Sequence, residues 1–86
     1  MVGWLAVSRA GHDKDTFYLI IKEDSNSVYL ADGVYKTCAA PKKKNKKHIQ
    51  PIHRGMTPEE LEALQKNPAD ADTAVKRCIK LNSTLK

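Results

Sequence analysis

Residues 16–22, Thr-Phe-Tyr-Leu-Ile-Ile-Lys, leave the chain little choice of local structure. Every position but the last is β-branched, aromatic or leucine, the side chains that fit a pleated surface. The two-residue period puts Phe17, Leu19 and Ile21 on one face, which is expected to be core. Val2–Ser8 is short and apolar and reads as a strand buried on both faces. The stretch between them, Arg9 to Asp15, reads as a loop, and Glu23 to Asn26 as a polar turn. Ser27–Ala31 and Val34–Cys38 flank Asp32-Gly33. That pair predicts a tight hairpin, because both central residues of a type I′ turn need positive φ. Lys47–Ile52 reads as a short closing strand. Pro51 has no N–H to donate, so this strand is expected at an edge. Five short strands with tight connections predict a small antiparallel barrel or sandwich rather than a βαβ unit.

The composition changes at His53-Arg54-Gly55, which divides a β domain over residues 1–54 from a helical extension over 55–86. Thr57-Pro58-Glu59-Glu60 is a helix start, with Thr57 as N-cap, Pro58 in the first turn and Glu60 completing a capping box. Leu61 and Leu64 form the apolar stripe of this first helix, and Asn67-Pro68 ends it. A second helix is expected from about Asp70, with Ala71, Ala74, Val75, Cys78 and Ile79 on one face. Both are short enough to need packing against each other or against the strands.

Charge is distributed unevenly. The 86 residues carry a net charge of +5, and residues 33–58 hold seven Lys or Arg and no acid. The densest part is Pro41 to His48, with Lys42, Lys43, Lys44, Lys46 and Lys47, and it reads as a loop. Ammonium groups this close repel one another and are stable either in water or opposite a dense negative charge. The bland alternative is a solvated charged loop; the sharp one is a nucleic-acid backbone. Two cysteines are too few for a disulfide scaffold. The sequence from Met1 onward has no basic leader, and no apolar run is long enough to cross a bilayer. A cytoplasmic protein with free thiols is the expectation.

Three separated motifs then carry a family likeness. Ser8-Arg9-Ala10-Gly11-His12-Asp13-Lys14, Tyr29-Leu30-Ala31-Asp32-Gly33 and Pro41-Lys42-Lys43-Lys44-Asn45-Lys46-Lys47-His48-Ile49 resemble the KOW-domain RNA-binding proteins. The likeness covers about residues 2–52. It is narrower toward the small stand-alone bacterial members, which are related to the KOW-type large-subunit ribosomal proteins. It implies a mainly β fold, an SH3-like five-stranded antiparallel β-barrel followed by two short helices, that contacts ribosomal or other structured RNA. Asp15 stands where the motif usually carries Gly.

On this reading the RNA-binding residues are Arg9, His12, Lys14, Lys42, Lys43, Lys44, Lys46, Lys47 and His48. Lysines neutralise phosphates as flexible point charges without reading sequence. Engagement of five to seven cations would give a slope of log K against log salt of roughly −4 to −6. Arg9 is suited to a bidentate phosphate pair. For the loop from Arg9 to Lys14 the competing reading is a structural turn in which Asp13 and Asp15 partly cancel the cations. Tyr18, Tyr29 and Tyr35 are weighed between base stacking and half-buried packing. Trp4 reads as core. Cys38, His48, His53 and Cys78 lack the spacing of a zinc site, so no metal or other cofactor is expected. No nucleophile–base pattern or phosphate-cradling Gly-rich loop argues for an enzyme, a small-molecule substrate or a membrane. The alternative function is a protein-interaction module docking on an acidic partner of the translation or transcription machinery.

Overall fold

The computed structural model describes residues 1–9, 11 and 16–83, without the side chains of residues 68, 69 and 83. Five strands follow in order: β1 (Trp4–Ser8), β2 (Phe17–Glu23), β3 (Ser27–Ala31), β4 (Lys42–Asn45) and β5 (Ile49–Gly55). A 3-10 turn, Lys46–His48, joins β4 to β5, and two helices close the chain, α1 (Pro58–Gln65) and α2 (Pro68–Ser83). The strands form one antiparallel sheet in the order β4-β3-β2-β1-β5. Its edges are β4 and β5, so the ring of strands is not closed.

Both faces of this sheet are buried. On one, Leu5, Leu19, Ile21 and Ala31 pack with Leu61 of α1 and Val75 of α2. This core joins the strand segment to the helical one. On the other face, Ala6, Tyr18, Ile20, Val28, Leu30 and Ile49 pack together with no helical residue among them. A flat sheet would leave that face wet. Three ladders at about 4.8 Å each would also hold β4 roughly 14 Å from β1. Yet the Lys44 Nζ of β4 donates to the Ser8 Oγ of β1, a gap no lysine and serine span together. The sheet is therefore curled, with the second cluster on its concave side. Register shifts between Trp4 and Leu5 on the β1–β5 ladder and between Ile20 and Lys22 on the β2–β3 ladder supply local bends.

The strand expected over Val34–Cys38 does not form, and β3 pairs instead with Lys42–Asn45. The reason is local chemistry reinforced by tertiary contact. The Asp32 carboxylate accepts from the Val34 and Lys36 amides, both at 2.8 Å. The Asp32 and Gly33 amides donate back to the Lys36 carbonyl at 2.8 and 3.2 Å. These bonds draw residues 32–36 into a knot in place of a two-residue hairpin. Gly33 adopts φ +81°, and a Cβ there would collide with the Asp72 backbone carbonyl of α2. Two residues past the knot, the Cys38 amide donates to the Asp72 carboxylate at 2.8 Å. The lysine run, expected as a loop, is consequently an edge strand followed by a 3-10 turn.

Of the residues expected in the core, Leu19 and Ile21 are buried, while Phe17 and Trp4 are half-buried and Phe17 belongs to neither cluster. Leu5 and Ala6 bury opposite faces of β1, and β5, with Pro51 inside it, lies at an edge. The Thr57 hydroxyl accepts from the Glu60 amide at 3.2 Å and meets the Glu60 carboxylate at 3.2 Å. Helix α2 starts at Pro68, earlier than expected, and Ala71 and Val75 on its apolar face are fully buried.

Curling predicts a symmetry between the faces. Leu19→Ala and Ile20→Ala should each destabilise by about 2–5 kcal/mol, measured by urea unfolding. A near-zero cost for Ile20→Ala with a full cost for Leu19→Ala would mean that the concave face is open to water.

Candidate nucleic-acid interface

Strand geometry decides where the lysines go. Lys42 lies opposite Leu30 and Lys44 opposite Val28 on the β3–β4 ladder, while Lys43 lies opposite Tyr29. Directly opposed residues project from the same face of a sheet. Lys42 and Lys44 therefore stand on the concave side with Leu30 and Val28, and Lys43 on the outer side. The run that looks like one cluster in the sequence is divided between two faces. Lys42 and Lys44 are half-buried, and the Lys44 ammonium reaches inward to the fully buried Ser8 hydroxyl. Placed on an edge strand, such side chains also discourage a further strand from adding to the sheet.

The 3-10 turn concentrates the remainder. Asn45 caps it, its side-chain oxygen accepting from the Lys47 amide at 2.8 Å, and the Lys46 amide donates to the Asn26 carbonyl at 3.0 Å. The Lys46 ammonium lies 2.8 Å from one carboxylate oxygen of Glu23, and the N-terminal ammonium 3.0 Å from the other. Lys46, followed by the N-terminal amine, holds the Glu23 carboxyl below its ordinary pKa. Lys46 is thus neutralised by a carboxylate of the same molecule. Lys47 and His48 are exposed.

Arg9 arrives beside this turn. Its amide donates to the His48 carbonyl at 2.8 Å and its guanidinium to the Gln50 side-chain oxygen at 3.2 Å. The two basic segments, more than thirty residues apart in sequence, therefore meet where Arg9 bonds His48 and Gln50, with Lys47 the next residue along the turn. His12 and Lys14 lie outside the described residues.

The tyrosines have three different settings. Tyr18 is buried in the concave cluster. Tyr29 sits between two ammonium groups, Lys22 at 5.3 Å and Lys43 at 5.9 Å from its ring centroid, and donates to Asp24 at 3.1 Å. Tyr35 is 87% exposed. Trp4 packs at the margin of the concave cluster and stacks on His53 at 4.2 Å between ring centroids.

No group of three or more His, Cys, Asp or Glu able to hold a metal occurs among the described residues. Cys38 and Cys78 pack against the helix-side core. Desolvation, then the Asp72 carboxylate, pushes the Cys38 thiol up to about 11. Desolvation followed by the Glu60 charge raises Cys78. Neither thiol is poised as a nucleophile at neutral pH. No described helix is long and apolar enough to cross a membrane.

Five participants escaped the sequence reading: Ser8, Lys22, Glu23, Asn45 and Gln50. Asn45 alone left a signal, an N-cap residue interrupting a run of lysines. The others act across strands and become neighbours only in the folded sheet. No protein-family model matches the chain, and no curated protein matches it.

The thiol chemistry has a direct check. A rise from 9.0 to about 11 cuts the Cys38 thiolate about 100-fold at pH 8. The more basic thiolate is also the better nucleophile, so iodoacetamide should modify Cys38 roughly tenfold more slowly than a free thiol. Asp72→Asn keeps an acceptor for the Cys38 amide and removes the charge, so alkylation followed by mass spectrometry should speed up. An unchanged rate would detach Asp72 from the thiol.

Proposed function

We propose that this chain is a non-catalytic RNA-binding protein of the KOW kind, contacting ribosomal or other structured RNA through Arg9 and the segment from Lys42 to His48. The observation that carries the proposal is the meeting of Arg9 with the 3-10 turn, which joins two of the three motifs behind the family likeness at one corner of the sheet. A guanidinium beside an exposed lysine and histidine suits backbone phosphates better than the edge of a base, so binding positions the RNA without reading its sequence. The strand order, the single 3-10 turn between the two edge strands and the self-buried concave face support an SH3-like barrel as the scaffold.

The pairing of Lys46 with Glu23 reduces the charge on offer. Binding of a labelled hairpin RNA, followed by anisotropy between 50 and 200 mM salt, should give a slope of roughly −4, the shallow end of the range expected from composition. Arg9→Gln combined with Lys47→Gln should flatten that slope by about two and leave thermal stability unchanged. Binding that ignores salt, or none at all, contradicts the proposal.

The competing reading is an acidic protein partner. Exposed Lys76, Arg77 and Lys80 on α2 favour it, because they lie on the element farthest along the chain from the KOW-like motifs. Nuclease treatment of a lysate separates the two: it should release the protein from its co-sedimenting complex if RNA is the partner and spare the complex if protein is.

A further inference from the structure

We infer that Tyr35 is a stacking platform for an unpaired nucleobase, so that the RNA bound carries a single-stranded nucleotide beside its structured part; this rests on the RNA reading above. Most exposed tyrosines are on mobile or featureless surface and support nothing of the kind. Tyr35 differs because its backbone is fixed on both sides. The Asp32 carboxylate ties the residues before and after it, through the Val34 and Lys36 amides. The Lys36 carbonyl takes two more bonds from Asp32 and Gly33. The knot is then pressed on α2 at Gly33, where there is no room for a Cβ, and pinned again by the Cys38 amide on Asp72. Further along, the Ala40 amide donates to the Thr37 hydroxyl and carbonyl. With its backbone held, Tyr35 has only its two side-chain torsions left to order on binding, a small cost for a stacking contact.

The position also fits a nucleotide better than an apolar protein pocket. The loop leaves β3 at Ala31 and returns as Lys42, opposite Leu30, so it joins the edge strand at the end away from the 3-10 turn, one strand length from Lys47. Lys36 adjoins the ring in sequence. The carboxylates at the base of the loop, Asp32 and Asp72, both accept from backbone amides. An RNA strand that leaves the turn past Lys43, the outward lysine of β4, and continues toward Lys36 would meet an aromatic face that is 87% exposed, with Val34 beside it at 51%. Stacking on such a face tolerates any base, in keeping with phosphate contacts that carry no sequence information. Tyr18 is buried and Tyr29 is enclosed by Lys22 and Lys43, so neither offers this surface.

The test compares two labelled RNAs, a blunt hairpin and the same hairpin with a five-nucleotide single-stranded 3′ overhang. Wild-type protein should prefer the overhang by roughly tenfold, the scale of one stacked base. Tyr35→Ala should remove that preference and leave blunt-hairpin affinity unchanged, while Tyr35→Phe, which keeps the ring, should retain it. Equal affinities of wild type for the two RNAs, or a preference that survives Tyr35→Ala, overturns the stacking role while leaving the phosphate contacts standing. If neither RNA binds in a salt-dependent manner, the RNA reading itself falls, and the stacking role with it. Circular dichroism of both variants guards against a folding defect, which the exposure of the ring makes small.

Discussion

A sheet with two apolar faces needs two covers, and this chain has helices for only one. A domain of its size buries roughly 60–65% of the surface that its unfolded chain exposes. Leu61 and Val75 cover the face that bears Leu5, Leu19 and Ile21. Among the described residues no helix packs on Ala6, Tyr18, Ile20, Val28, Leu30 and Ile49; Met1 and Trp4 flank them and the sheet shields them by curling. The bond from Lys44 to Ser8 marks how far the curl goes, since it joins strands that are three ladders apart. The corner proposed to bind RNA is a by-product of that curl. The 3-10 turn carries the chain from one edge strand to the other, and the end of β1 lies alongside it, which is why Arg9 and His48 share a backbone hydrogen bond.

The lysines perform two kinds of work at once. On an edge strand, half-buried ammonium groups protect the open backbone from pairing with another chain. At the turn, exposed cations are available to an external anion. Glu23 sets the boundary between these uses, because it claims Lys46 and the N-terminal amine and leaves Lys47 and His48 outward. A count of basic residues therefore overstates the charge presented to a partner. What matters is which cations the fold has already answered with its own acceptors, and for Arg9 that acceptor is the neutral Gln50 side chain, which leaves the positive charge intact.

Periodicity made much of this structure legible. The strands over residues 4–8, 17–23 and 27–31, the edge position of Pro51 and the capped start of α1 all follow from side-chain pattern and turn chemistry, which act locally. Asp32-Gly33 was misleading because the same residues that favour a hairpin also favour an Asx knot. The choice between them was made by α2, forty residues away, through Gly33 and Asp72. Lys42–Asn45 gave no strand signal, since lysine has a poor β preference. Its conformation comes from the unpaired edge of β3, a tertiary cause. The proximity of Arg9 to His48 was equally hidden, because it depends on the curl rather than on any spacing in the chain.

On the RNA-binding reading proposed above, the curl assembles a single phosphate-binding corner from Arg9 and the end of the lysine segment. Amide chemical shifts report this residue by residue. Titration of the isotope-labelled protein with a hairpin RNA at 50 mM salt should move the signals of Arg9, Lys43 to Gln50 and their neighbours together. Raising the salt to 200 mM should largely reverse those shifts. Shifts confined to Lys76, Arg77 and Lys80 on α2, or spread evenly over the surface, would contradict the account.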